Sequence, residues 1–165
     1  MKRSIILSNT EIQHKIKRIA FQIYESNSNQ KEIIIAGIST NGFLFAKKLQ
    51  VILEEISPIK AVVCEVKVDK INPLKPVITS IAEKAYKNKS IILVDDVLNS
   101  GSTLMYAVKH FLNVPLKQFQ TAVLVNRNHK KYPIKADFKG ISLSTSLQEH
   151  ISVEYTKDSI VAYLN

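Results

Sequence analysis

Two adjacent carboxylates, Asp95 and Asp96, stand where an apolar run should end, and a loop of small polar residues, Asn99-Ser100-Gly101-Ser102-Thr103, follows. The run Ile91-Ile92-Leu93-Val94 is mostly β-branched, as in a strand buried on both faces. An apolar-periodic helix carrying Leu104, Val108, Phe111 and Leu112 is predicted from near Thr103. Strand, acidic pair, small-residue loop and helix N-terminus together suit a sugar phosphate. Loop amides and the positive helix end can hold a phosphate. The carboxylates can accept hydrogen bonds from sugar hydroxyls or hold Mg²⁺. Either Asp could instead be a helix cap or a solvated loop charge. The Gly- and hydroxyl-rich loop behind the pair favours the chemical use.

Two further loops belong at the same sheet edge. Glu32-Ile33-Ile34-Ile35-Ala36 reads as a buried strand, Gly37 to Gly42 as a loop, and Phe43, Leu44, Ala46, Leu49, Ile52 and Leu53 as the next helix face. The residues Ser39, Thr40, Asn41 and Gly42 thus lie at the carboxyl end of a parallel strand, where open α/β sheets bind ligands. A later strand, Phe119 to Val125, delivers Asn126, Arg127, Asn128, His129, Lys130 and Lys131 to that edge. His129 reads as structural or peripheral, and Asp137 as a residue that orients its loop.

The positioning elements alternate. Ser8 and Glu11 form a capping box, followed by an amphipathic helix to about Tyr24 with Ile12, Ile16, Ile19, Ala20 and Ile23 on one side. Ile59 to Val68 is a third strand, and Asp69 to Pro76 the most loop-like stretch. Val77 to Tyr86 fits a short strand or a short helix. Residues 136–146 are irregular or a short strand. Ile151–Tyr155 and Ile160–Leu164 form a closing hairpin. Residues 1–165 are expected to form a single α/β domain, a mostly parallel twisted sheet flanked by helices with a small C-terminal antiparallel hairpin.

Bulk properties narrow the class. No stretch approaches the ~18–20 apolar residues of a membrane span. A single cysteine, Cys64, excludes an internal disulfide, and a cytoplasmic location is expected. The net charge of +9 suits polyanionic ligands, a polyphosphate or RNA. Lysine supplies most of it; Arg3, Arg18 and Arg127 are the only arginines.

The stretch Ile91–Thr103 resembles the PRPP (phosphoribosyl pyrophosphate) signature of type I phosphoribosyltransferases. Glu11–Ile23, Ile35–Leu49, Ile92–Thr103 and Leu124–Gly140 further resemble the pyrimidine-operon attenuator family, which doubles as a uracil phosphoribosyltransferase. Val125-Asn126-Arg127-Asn128-His129-Lys130 is similar to that family's Val-Asp-Arg-Gly-His-Arg. Pro133-Ile134-Lys135-Ala136-Asp137-Phe138 is similar to its Pro-Ile-Arg-x-Asp-Tyr/Phe.

The resemblance implies the type I phosphoribosyltransferase fold and a nucleotide-salvage enzyme using PRPP, Mg²⁺ and a nucleobase, uracil first. It implies that Asp95 and Asp96 bind the ribose hydroxyls with Mg²⁺ close by, held indirectly through PRPP. Asn99, Ser100, Gly101, Ser102 and Thr103 would cradle the 5′-phosphate, and Ser39, Thr40, Asn41 and Gly42 would face pyrophosphate. Arg127 would lie beside pyrophosphate or base, and Asn126 close to the base. A homodimer is the implied assembly. Alternatives are a nucleotide-sensing RNA-binding regulator of pyrimidine genes and a catalytically weak PRPP or nucleotide binder.

Four departures stand out. Asn41 replaces the family's Arg. The Asp69–Ser80 loop is shorter than the attenuators' and has no Arg. Asn99 stands where purine enzymes place a proton-accepting Asp, which argues against hypoxanthine or guanine. Asn126 replaces the attenuators' Asp, and its amide both donates and accepts.

Overall fold

The computed structural model describes residues 3–165. Ile33 to Ile38 and Ser90 to Asp95 are buried without interruption, and such strands need cover on both faces. The chain supplies it by alternating strands and helices: β1 (Ser4–Leu7), α1 (Asn9–Ser26), β2 (Glu32–Ile38), α2 (Asn41–Ile56), β3 (Lys60–Lys67), β4 (Ile78–Thr79), α3 (Glu83–Tyr86), β5 (Ser90–Leu98), α4 (Ser102–Phe111), β6 (Gln118–Arg127), β7 (Phe138–Leu143), β8 (Ile151–Tyr155) and β9 (Ile160–Leu164).

The main sheet has the order β4-β3-β2-β5-β6-β7. Its strands run parallel except β4, which closes the β3 edge antiparallel. On one face, α1 and α2 pack Ile12, Ile16, Ile19, Phe45 and Leu49 against Ile33, Ile35, Ile92 and Val94. On the other, Leu104, Ala107 and Phe111 of α4 join Tyr86 against Ile34, Ile91 and Leu93. The predicted alternation and the mostly parallel, helix-flanked sheet are both present.

Several expectations change in detail. The central strand does not stop before the acidic pair: Asp95 pairs with Val123, Val97 with Val125 and Leu98 with Asn126. The carboxylates therefore ride on a strand held by its neighbour. Val77 to Tyr86 holds both a two-residue strand and a single helical turn. The closing hairpin gains a third strand, because β1 pairs with β9 to give the order β1-β9-β8. Three apolar residues at the chain start are too few for a periodicity to declare a strand. The Ser8–Glu11 capping box is present in both directions. No described helix is long and apolar enough to cross a membrane.

A buried polar link fixes the central strand relative to α1. Asn27, fully buried at the α1 C-terminus, donates through Nδ2 to Ile23 O (2.9 Å) and Gln120 Oε1 (3.1 Å). Its Oδ1 accepts from Ser90 Oγ at 2.6 Å. Removing the amide leaves the Ser90 hydroxyl and Gln120 without partners, so Asn27→Ala should cost about 1–3 kcal/mol in urea denaturation.

Candidate active site

The carboxyl ends of β2, β5 and β6 place the three loops side by side. β5 carries Asp95, which is 5% exposed, and Asp96, which is half-buried. Asp95 Oδ1 accepts the Asp96 amide at 2.9 Å, and Asp96 Oδ1 accepts the Val97 amide at 2.8 Å. The Asp95 carboxyl titrates well above the ordinary carboxylate range. Burial is the main cause and the adjacent Asp96 the next, with Lys70 opposing both.

After Leu98 the chain turns through Asn99-Ser100-Gly101 into α4. Gly101 has φ +84°, a conformation that L side chains rarely adopt, and sits at the helix cap with no side-chain cap bond. The first-turn amides of α4 therefore lack intrahelical partners and border the pocket. The Ser100 carbonyl accepts Lys131 N (2.8 Å) and Tyr132 N (3.1 Å), which ties this loop to the one after β6. Asp95, Asn99, Ser100, Gly101, Thr103 and Lys70 line a pocket of about 210 Å³, with Val97, Leu98 and Leu104 completing its wall.

The loop after β2 holds a cis peptide between Ser39 and Thr40. Gly42 lies against β5: a Cβ there would sit 2.7 Å from Val94 O and 3.1 Å from Asp95 Oδ1. Asn41 Nδ2 donates to Asp96 Oδ2 (2.8 Å) and to Val153 O of β8 (3.0 Å), joining α2, the acidic pair and the small sheet.

Arg127 lies behind the pocket, 4% exposed. Its Nε donates to Thr145 Oγ1 (2.6 Å), one Nη to Asn99 Oδ1 (3.1 Å) and the other to Ser146 O (2.8 Å). It clamps the α4 loop to residues 145–146. His129 Nε2 donates to Thr145 O at 2.6 Å in the same segment. Asp137 accepts from the Thr121 amide (2.9 Å), an orienting contact. Asn126 donates to Ser142 Oγ (3.2 Å), while its Oδ1 is buried and has no partner among the described residues.

Two residues near the acidic pair were not among those singled out from sequence. Lys70 stands in a loop chosen there only for its prolines and charges. It is held by an ordered turn in which Asp69 accepts from the amides of Ile71 and Asn72 and from Lys75 Nζ (2.6 Å). Those bonds lower the Asp69 pKa to about 2. Tyr155 comes from the closing hairpin, and nothing in a strand pattern marks its hydroxyl. Burial raises its pKa first, and the negative charges of Asp96 and Asp95 raise it further.

Residues 2–158 match the family model described as phosphoribosyl transferase domain. The chain is 34% identical over 157 residues to the bifunctional protein PyrR of Streptococcus agalactiae serotype Ia, covering 93% of this chain and 91% of that protein. It is 33% identical over 165 residues to the bifunctional protein PyrR of Bacillus pumilus, covering 93% and 91%. Among solved structures it resembles the hypoxanthine phosphoribosyltransferase of Trypanosoma cruzi, with TM-score 0.79 and 15% identity over 96% of this chain and 95% of that one. A hypoxanthine-guanine phosphoribosyltransferase from Bacillus anthracis gives 0.71 and 20% over 87% and 84%. At such identities the structural likeness speaks to the fold alone.

A carboxyl group whose pKa is raised on folding holds its proton more tightly folded than unfolded. The stability it allows is complete below the unfolded value of 3.8 and is lost as pH rises toward the folded value. Asp95→Asn should therefore raise Tm at mildly alkaline pH, by roughly 2–4 °C per kcal/mol regained. It should also flatten the fall in Tm between mildly acidic and mildly alkaline buffers, as read by thermal denaturation.

Proposed function

The chain belongs to the phosphoribosyl transferase domain family, and from there we propose that it moves the 5-phosphoribosyl group of PRPP onto uracil and releases pyrophosphate. The observation that carries this reading is the pocket shared by Asp95, Lys70 and the Asn99–Thr103 loop. It joins a lysine and a turn with free helix amides, suited to phosphate, to a carboxylate suited to sugar hydroxyls, and PRPP presents both groups. Asn99 weighs against hypoxanthine and guanine: an amide cannot take up a base proton as an acid at that position would, and its oxygen is already committed to Arg127.

In this reading the loop amides, the first turn of α4 and the hydroxyls of Ser100 and Thr103 hold the 5′-phosphate. Asp95 and Asp96 accept from the ribose 2′- and 3′-hydroxyls. Ser39 to Gly42 and Lys70 face the pyrophosphate. Asn126 stands nearest the base, and Arg127 keeps the phosphate loop in place. The bond from C1 of the ribose to pyrophosphate breaks, a bond from C1 to the base nitrogen forms, and the base gives its N–H proton to the departing pyrophosphate or to water. Positioning and charge complementarity supply most of the acceleration of such an oxocarbenium-like step.

Among the described residues no group of three or more His, Cys, Asp or Glu side chains forms a metal cage. The lone acidic pair fits Mg²⁺ held chiefly by PRPP phosphates and water, with Asp95 and Asp96 as its protein-side neighbours. When bound, the ion neutralises charge on the leaving pyrophosphate.

Incubation with PRPP, Mg²⁺ and single bases should yield UMP from uracil and no nucleotide from hypoxanthine or guanine. No product from any base, with PRPP still bound, would sink the enzyme reading. Lys70→Ala should weaken PRPP binding about tenfold in calorimetry, the scale of one charge-assisted contact.

A second reading, an RNA-binding regulator that senses nucleotide, draws support from the net charge of +9. It also draws on the exposed Lys130 and Lys131, whose loop is bonded to Ser100 of the phosphate loop. UMP should then shift the affinity for pyrimidine-operon leader RNA. RNA binding indifferent to UMP in a filter or polarisation assay would remove this reading.

A further inference from the structure

Four lysines gather at the end of the sheet opposite the candidate active site. Lys31, Lys89 and Lys117 each stand just before a strand, β2, β5 and β6 in turn, and Lys87 lies in the loop that leads to Lys89. The register pairs Ile33 with Ser90 and Ser90 with Gln118, so Glu32, Lys89 and Lys117 lie side by side across the amino ends of the strands. The four lysines and Glu32 line a cavity of about 450 Å³, and side-chain amides complete its wall. Among the described residues no apolar or aromatic side chain lines it.

The backbone fixes the loops that carry these residues. Lys117 N donates to Lys89 O (3.0 Å), Asn88 N to Pro115 O (2.7 Å) and Lys60 N to Lys31 O (3.0 Å). The charges do not balance. Glu32 is shared between Lys89, at 3.2 Å, and Lys60, at 3.5 Å from outside the cavity. Lys89 is the main reason that its carboxyl titrates below the usual range. Lys117 Nζ donates to a neutral oxygen, Gln30 Oε1, at 3.3 Å. Among the described residues Lys31, Lys87 and Lys117 have no carboxylate within ion-pair distance. Ammonium groups gathered around one cavity repel each other, and low salt leaves that repulsion unscreened. An anion of several charges relieves it.

We propose that this cavity is a second anion site, which binds a free oligophosphate by its phosphate groups alone. Lysine holds phosphate as a point charge, without the fixed fork of arginine. The wall offers nothing apolar to a lipid chain. It also has no ring on which a base could stack, the platform that single-stranded nucleic-acid sites use. Inorganic triphosphate and the tail of a nucleoside triphosphate present the same groups. β5 separates this site from Asp95, so it stands independently of the phosphoribosyl reading.

The test is calorimetric titration with sodium tripolyphosphate in low-salt, magnesium-free buffer. Lys87→Glu combined with Lys117→Glu should weaken binding about a hundredfold, roughly tenfold for each charge-assisted contact. Lys87→Gln with Lys117→Gln, which introduces no new charge, should weaken it in the same direction by less. Lys48→Glu with Lys157→Glu changes the net charge equally at exposed positions outside the cavity and should leave binding nearly unchanged. ATP should bind no more tightly than tripolyphosphate. Thermal denaturation checks that each variant is folded. Unchanged binding in the Lys87/Lys117 variants, or an equal loss in the Lys48/Lys157 variant, which marks general attraction to a basic protein, overturns the proposal. So does complete displacement of tripolyphosphate by PRPP–Mg²⁺, which places it in the other pocket. Much tighter binding of ATP overturns recognition by phosphates alone, and an RNA oligonucleotide held by these lysines in the absence of any tripolyphosphate binding overturns the free ligand.

Discussion

Two neighbouring carboxylates are held at the carboxyl end of β5, just past its last pairing with β2 and still beside β6, and the rest of this sheet edge answers to that constraint. Taking one carboxylate out of water costs several kcal/mol, and an adjacent like charge adds to it. The protein meets the cost piecemeal. Backbone amides of Asp96 and Val97 serve one oxygen of each side chain, and Asn41 serves a third oxygen. Lys70 opposes the charge from across the pocket, and Gly42 allows α2 to approach where any side chain would collide with Asp95. What remains uncompensated is retained as a raised proton affinity at Asp95. A site kept ready for hydroxyls or a cation is, before they arrive, a strained place to keep two acids.

Much of the fold was legible because it rests on long, periodic signals. The α1 stripe of isoleucines, the buried runs at Ile33 and Ile91 and the alternation of strands with helices all come from burial, which leaves a clear mark on sequence. Short elements left weaker marks. β1 has four residues and gains its identity from pairing with β9, a contact between distant parts of the chain. The 78–86 segment divides between two motifs too short to show a period. At the candidate site, residue types pointed correctly to a shared edge. Side-chain partners could not be read, because they are long-range. Arg127 meets Thr145 and Ser146, Asn41 meets Val153, and Tyr155 comes under the influence of Asp96. No local spacing encodes those meetings.

The fold alone does not choose the base. The solved structures that resemble the chain include purine enzymes, yet the position after β5 carries Asn99 and its carbonyl is bonded to Arg127. A backbone shared at 15–20% identity constrains where loops emerge, not which protons they can accept. The base therefore has to be argued from side chains. Asn99 and Asn126, two amides at this sheet edge, are the residues on which that proposal turns.

The clamp formed by Arg127 has a dynamic corollary. Its guanidinium bonds two segments at once, the Asn99 loop and residues 145–146, and the amides of Lys131 and Tyr132 fasten the same loop a second time. The α4 side of the pocket is thus braced at several points and should open only with sub-global unfolding, on the slow side of hydrogen exchange. The opposite wall hangs on Lys70 and a turn gathered around the partly exposed carboxylate of Asp69, contacts that water loosens on far shorter timescales. A ligand with a phosphate at one end and a diphosphate at the other would meet a finished surface first and complete the unfinished one itself. Direction of entry would then be a property of unequal stiffness rather than of charge.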